Sequence, residues 1–116
     1  MSSVEFIDLA PRFEVADVTA SLKFYVDALG FTLLDTFDDP PVYAMVKRGP
    51  IEIHLQKAPV VEGFSSGAYI WVRNIGALVE ELTSRGTPFL GPFDRIYKMR
   101  EVIVRDPDRN EITFGE

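Results

Sequence analysis

One order of elements occurs twice in this chain, and a duplicated unit restricts the fold more than any single motif does. Pro11 to Val15 alternates in polarity as a strand does, and Asp17 then stands where a helix N-cap belongs. Ala20, Leu22, Phe24, Tyr25 and Leu29 follow at helical spacing, and Gly30 takes the left-handed closing position. Three strands are expected next, Phe31–Phe37, Val42–Arg48 and Ile51–Gln56, punctuated by Asp38-Asp39-Pro40-Pro41 and Gly49-Pro50. Lys57 to Gly67 has no period and reads as a linker. The order then restarts. Ala68–Val72 is a strand, Asn74 repeats the role of Asp17, and a helix through Ala77, Leu78 and Leu82 closes at Arg85-Gly86. Thr87–Leu90 reads as a short strand before a Gly91-Pro92 break.

Met99 to Glu116 ends the chain as a strand, a turn and a strand. Val102 and Val104 alternate with Glu101, Ile103 and Arg105, and Ile112 and Phe114 alternate with Glu111 and Thr113. Asp106-Pro107-Asp108 suits a type I turn, with Pro setting the second φ. The expected architecture is therefore α+β: two βαβββ modules, 9–57 and 68–116, joined by a linker over 58–67 in one domain. Each sheet would bury one face under a helix and turn the other toward a cup. Parity places Phe13, Val15, Ile51, Ile53, Leu55, Ile70, Val72, Val102, Val104, Ile112 and Phe114 under the helices. It turns Arg12, Glu14, Glu52, His54, Gln56, Tyr69, Trp71, Glu101, Arg105, Glu111 and Thr113 toward the cup. A slip of one residue would reverse every assignment.

Composition narrows the function classes. With 116 residues, 47% of them hydrophobic, the chain can build a core without staples. It has no cysteine, which removes disulfides and thiolate metal sites. A formal charge of -6 disfavours nucleic acid, which needs clustered Lys and Arg. No apolar run is long enough to span a membrane and no basic-then-apolar leader is evident, so a soluble cytoplasmic protein is expected. No Ser-His-Asp order, phosphate-cradling loop or dinucleotide fingerprint is present.

Several stretches together resemble the vicinal oxygen chelate superfamily, which includes glyoxalase I, extradiol dioxygenases, fosfomycin-resistance enzymes and bleomycin-binding proteins. Asp17-x-x-x-Ser21-x-x-Phe24-Tyr25, Leu29-Gly30-Phe31 and Ile51-Glu52-Ile53-His54-Leu55 look like its first module. Tyr69–Arg73, Arg100-Glu101 and Arg105-Asp106-Pro107-Asp108-x-Asn110 are similar to its second. The steps Trp71-Val72-Arg73 and Arg100-Glu101 lean toward the bleomycin-resistance branch. The resemblance implies half-barrel sheets, a domain-swapped homodimer and two ligand clefts between chains. It also provides a test, because the superfamily's metalloenzymes place His and acid side chains at four cup-facing positions. Three of these fall here on Ala10, Gly67 and Thr113, and Glu52 alone can ligate. A divalent site needs three or more protein ligands. No catalytic metal and no cofactor are therefore expected. One further departure is Arg109, where relatives have Gly; a positive φ there would cost about 1 kcal/mol.

Eight residues are the ligand-binding candidates: Phe37, Tyr43, Glu52, His54, Tyr69, Trp71, Tyr97 and Glu101. Trp71 offers either an aromatic wall for a planar or cationic ligand or a buried dimer contact. His54, between Glu52 and Gln56, is either a hydrogen-bonded structural residue or a general base. Glu101 either pairs with Arg100 or Arg105 or attracts a basic group. Phe37, Tyr43, Phe93 and Tyr97 could frame a mouth, and Asp35, Asp38 and Asp39 could steer a cation. The expected function is non-enzymatic sequestration of an aromatic or cationic small molecule, with bleomycin-type glycopeptides implied by the resemblance. A metal-dependent lyase, isomerase or dioxygenase is the alternative, and a pocket for an unrelated metabolite stays open.

Overall fold

The computed structural model describes residues 3–59 and 66–116. The first half runs β1 (Arg12–Val15), α1 (Val18–Lys23), a π-helical turn (Phe24–Ala28), β2 (Thr32–Phe37), β3 (Tyr43–Arg48) and β4 (Ile51–Lys57). The second runs β5 (Gly67–Trp71), α2 (Ile75–Arg85), β6 (Leu90–Asp94), β7 (Arg100–Arg105) and β8 (Glu111–Gly115). The two sheets have the same order, β1-β4-β3-β2 and β5-β8-β7-β6. β1 pairs in parallel with β4 and β5 with β8, and the remaining pairs are antiparallel. The repeat in sequence is a repeat in topology, within an α+β fold. Most of the linker reading lies outside the described residues, although Gly67 belongs to β5.

Side-chain alternation decides which face is buried. Phe13, Val15, Ile53, Leu55, Ile70, Val102, Val104, Ile112 and Phe114 all enter one core with Val18, Tyr25, Leu29 and Leu82. Local signals set the helix starts. Asp17 accepts from the Ala20 N–H at 3.1 Å and Asn74 from the Ala77 N–H at 3.1 Å. Asn74 is itself left-handed, with φ 66°. The Glu116 carboxylate takes the free N–H groups of Asn74 and Ile75 at 2.8 and 2.9 Å.

Two local expectations are corrected. The first helix is α only to Lys23; Phe24–Ala28 is wound as a π-helix, and Gly30 closes it with φ 73°. Apolar spacing over so short a span cannot separate the two windings. The sixth strand is not Thr87–Leu90 followed by a break. It is Leu90–Asp94, with Gly91-Pro92 inside it at an irregularity between Leu90 and Phe93. Gly91 has φ 102°, and a Cβ there would come within 2.6 Å of the Glu101 carbonyl oxygen, so this bulge demands glycine.

The turn between β7 and β8 ties the halves together. Asp106 is 5% exposed and accepts from the N–H groups of Asp108 and Asn110, the Asn110 amide and the Tyr25 hydroxyl, the last at 2.9 Å. Asn110 donates onward to the Glu14 carbonyl, and Asp108 accepts from the Ala16 N–H and the Ser21 hydroxyl. Arg109 holds the positive φ of 67° that the turn requires. On the other side, Arg48 of β3 grips Glu81 of α2 through two bonds of 2.6 and 2.7 Å, and Arg85 joins the same carboxylate. Burial pushes the Asp106 carboxyl above the usual range, against the hydrogen bonds from Asn110 and Tyr25. Burial, followed by the charge of Asp106, holds the Tyr25 phenol far above its ordinary value. Tyr25→Phe leaves Asp106 short of a donor in the core and is expected to destabilise the protein by about 1–3 kcal/mol. Urea denaturation measures it, and a loss within error of zero would show the clasp to be dispensable.

Candidate functional site

The eight candidates divide between the two sheets. On the first, Phe37 ends β2, Tyr43 opens β3, and Glu52 and His54 lie two apart on β4. The Tyr43 hydroxyl meets His54 Nδ1 at 2.7 Å, and His54 Nε2 meets the Glu52 carboxylate at 2.5 Å. Ring centroids lie 6.0 Å apart for Phe37 and Tyr43 and 5.5 Å apart for Tyr43 and His54. The register explains the approach: Met45 faces His54, and Tyr43 faces Gln56, one step along the same face. Asp35, Asp38 and Asp39 are exposed around the adjoining turn.

On the second sheet, Tyr69 and Trp71 of β5 stand with ring centroids 4.8 Å apart, and Trp71 is 74% exposed. Glu101 is the centre of this group. It is 3% exposed and accepts from the Tyr69 and Tyr97 hydroxyls, both at 2.8 Å, and from Arg95 Nε at 3.0 Å. Glu101 therefore pairs with neither expected arginine. Arg100 engages Asp94 across β6 and β7, and Arg105 engages Glu111 across β7 and β8. Strand neighbours reach each other first, which leaves the buried carboxylate to Arg95 from the β6–β7 connection. Arg95 also lies 4.6 Å from the centroid of the Phe93 ring.

Two further residues, Arg95 and Gly115, complete this group. Gly115 lies opposite both Trp71 and Glu101 in the β-ladders. The Tyr69 ring crosses β8 over this residue to reach Glu101, and a Cβ on Gly115 would overlap the phenol. An isolated Gly inside a strand pattern signals such a close approach. Arg95 carried no comparable signal.

The electrostatics follow from this packing. Burial works to raise the Glu101 carboxyl, but the hydrogen bonds from Tyr97, Tyr69 and Arg95 prevail and hold it below its usual range. Burial and the Glu101 bond push the Tyr69 phenol up to about 12, and the Glu101 bond raises Tyr97 as well. Both phenols therefore stay protonated. Among the described residues no three His, Cys, Asp or Glu side chains cluster, and the one retained position, Glu52, is engaged by His54. No hydrogen bond, ion pair or ring contact joins the two polar groups among the described residues. A cavity of about 430 Å³ lies elsewhere, at the seam between the modules, walled by Leu29, Phe31, Ile51, Ile70 and Phe114. Of the eight candidates, Trp71 alone borders it.

The profile described as Glyoxalase/Bleomycin resistance protein/Dioxygenase superfamily matches residues 12–114. A bleomycin resistance protein of Geobacillus stearothermophilus is 30% identical over 124 aligned residues, covering 90% of this chain and 92% of its own. The bleomycin-binding protein of bleomycin-producing Streptomyces verticillus, solved with copper(II)-bleomycin, superposes with TM-score 0.80 at 30% identity over 97% of each chain. A glyoxalase-related enzyme of Clostridium phytofermentans superposes at 0.83 with 19% identity, over 100% of this chain and 98% of its own, which shows shared fold alone.

The folded-state depression of Glu101 has a pH consequence. Its stabilisation is present above the ordinary carboxylate pKa of about 4.3 and is lost as pH falls through the lower folded value. Melting temperature should fall as pH drops from 7 to about 3, and Glu101→Gln should flatten that slope; superimposable profiles would contradict the assignment. Gly115→Ala is expected to displace Tyr69 and bring its phenol titration, followed by ultraviolet absorbance, back toward the model-peptide value of about 10.

Proposed function

Because the chain belongs to the Glyoxalase/Bleomycin resistance protein/Dioxygenase superfamily, we propose that it binds a small aromatic, cationic molecule of the bleomycin type and sequesters it without chemistry. The observation that carries this reading is Trp71, an indole 74% exposed yet held against Tyr69 beside a buried and fully paired carboxylate. A large apolar ring kept in solvent on a rigid support suits stacking by a flat ligand. The 30% identity to a bleomycin resistance protein supports bleomycin as the first ligand to try. Ala10, Gly67 and Thr113 at three of the superfamily's metal positions support sequestration over turnover. The acidic balance of -6, with Asp35, Asp38 and Asp39 around one rim, favours a cation.

We propose further that two chains pair, so that the first sheet of one and the second sheet of its partner close each cleft. Three features support this. The radius of gyration is 15.4 Å, against roughly 13 Å for a compact domain of this length. Val4, Phe6, Ile7 and Leu9 are 81–93% exposed, an apolar surface that a second chain would cover. The aromatic–polar groups of the two sheets are also separate within one chain, as two halves of a shared cleft would be. The expected ligand-binding residues remain Phe37, Tyr43, Glu52, His54, Tyr69, Trp71, Tyr97 and Glu101.

Bleomycin should raise the melting temperature, by about 2.7 kcal/mol of added stability at a hundredfold excess over Kd. It should also quench or shift the emission of Trp71, the chain's sole tryptophan. Trp71→Ala should weaken binding at least about tenfold, as loss of a well-packed aromatic contact does. The absence of both signals with metal-free and copper-loaded bleomycin would overturn the reading. Sedimentation equilibrium should return twice the chain mass, and a monomer at micromolar concentration would remove the shared cleft.

A further inference from the structure

The proton positions within the two polar groups fix what a ligand must offer. On the first sheet Glu52 is a carboxylate and only accepts, so the proton in its contact with His54 lies on Nε2. In a neutral imidazole the other nitrogen, Nδ1, is then an acceptor, and the Tyr43 hydroxyl 2.7 Å away must donate to it. On the second sheet the Glu101 carboxylate receives the hydroxyls of Tyr69 and Tyr97. Their raised phenol pKa values keep those protons in place. A phenol has one proton to give and lone pairs to receive with. Tyr69 and Tyr97 have given theirs to Glu101, and Tyr43 gives its own to His54 when that ring is neutral.

We infer that Tyr43, Tyr69 and Tyr97 are specificity-determining residues: with each hydroxyl proton committed to His54 or Glu101, they offer a ligand only acceptors and select amine- or amide-bearing molecules over carboxylates. This rests on the proposal that these side chains line the ligand cleft. Positive groups share these faces, Lys47 opposite Glu52, Arg12 opposite His54 and Arg95 on Glu101, so the selection rests on the phenolic oxygens and not on the charge balance. Other donors stand nearby: the Trp71 indole N–H, the Gln56 amide opposite Tyr43, and the remaining N–H groups of Arg95, whose guanidinium lies over Phe93. The selection is positional. Glu52 orients His54, His54 orients the Tyr43 proton, and Glu101 orients two more, with the polar end of the ligand meeting the phenolic oxygens.

The test has a part that needs no ligand. His54 is the single histidine, so nitrogen-15 spectra at neutral pH give one imidazole pattern. The Nε2-protonated neutral form is expected, and a Nδ1-protonated or doubly protonated ring would overturn the inference for the first sheet. The second part compares tryptamine with indole-3-acetate, which share a ring and differ in the sign of their charged end. Tryptamine should bind more tightly by about tenfold. Tyr43→Phe, which removes the acceptor, and Glu101→Gln, whose amide can donate and so release a phenol proton, should each narrow that ratio. Equal binding of the probes, a preference for the acid, or a ratio unchanged in both variants would overturn the inference. If bleomycin binds and the probe preference is absent, the inference alone fails. If the histidine tautomer and the preference hold and bleomycin does not bind, the proposed ligand alone fails.

Discussion

A carboxylate in the core holds this molecule together. Asp106 sits in a tight turn of the second module, 5% exposed, and its position is tolerable because donors surround it. One of them, the Tyr25 hydroxyl, belongs to the first module. Neighbouring Asn110 and Asp108 extend the grip to Glu14, Ala16 and Ser21. A buried anion with directional partners specifies one arrangement, where apolar contact alone would accept many. The relation of the two repeats is therefore fixed on one side by a turn of five residues and on the other by the Arg48–Glu81 pair.

The same chemistry recurs at the candidate site. Glu101 is buried as deeply as Asp106 and is likewise satisfied by phenols, here Tyr69 and Tyr97 with Arg95. The consequence differs because the surroundings differ. Tyr25 is sealed in the core, so its hydroxyl does structural work only. Tyr69 and Tyr97 are reachable from solvent, so fixing their protons also fixes the hydrogen-bonding character of the surface. On the first sheet the Glu52–His54–Tyr43 chain has an imidazole between carboxylate and phenol.

Much of the fold was legible because it rests on period and punctuation. Strand alternation named the buried face of β4, β7 and β8 residue by residue, since one face of each pleat meets a helix and the other does not. Asp17, Asn74, Gly30 and Gly86 marked helix ends because cap chemistry is local. The misreadings came where local chemistry admits two outcomes. Gly91-Pro92 breaks a strand in isolation, yet a bulge absorbs it when β7 lies alongside. The run through Phe24 and Tyr25 winds as α or π on one hydrophobic pattern.

By itself, the sequence determined that there are two like modules, which faces of their strands are apolar, and which residue types stand at the superfamily's metal positions. These are properties of neighbours along the chain, where spacing of a few residues carries the physics. Only the tertiary structure decided the pairing of Glu101 with Arg95 and two phenols in place of Arg100 or Arg105, and the passage of Tyr69 over Gly115. It also decided that the eight candidate side chains form two groups on separate sheets. Those outcomes depend on which of several equally charged or aromatic side chains arrives first at a buried partner. Strand register and burial set that competition, and no local pattern encodes either.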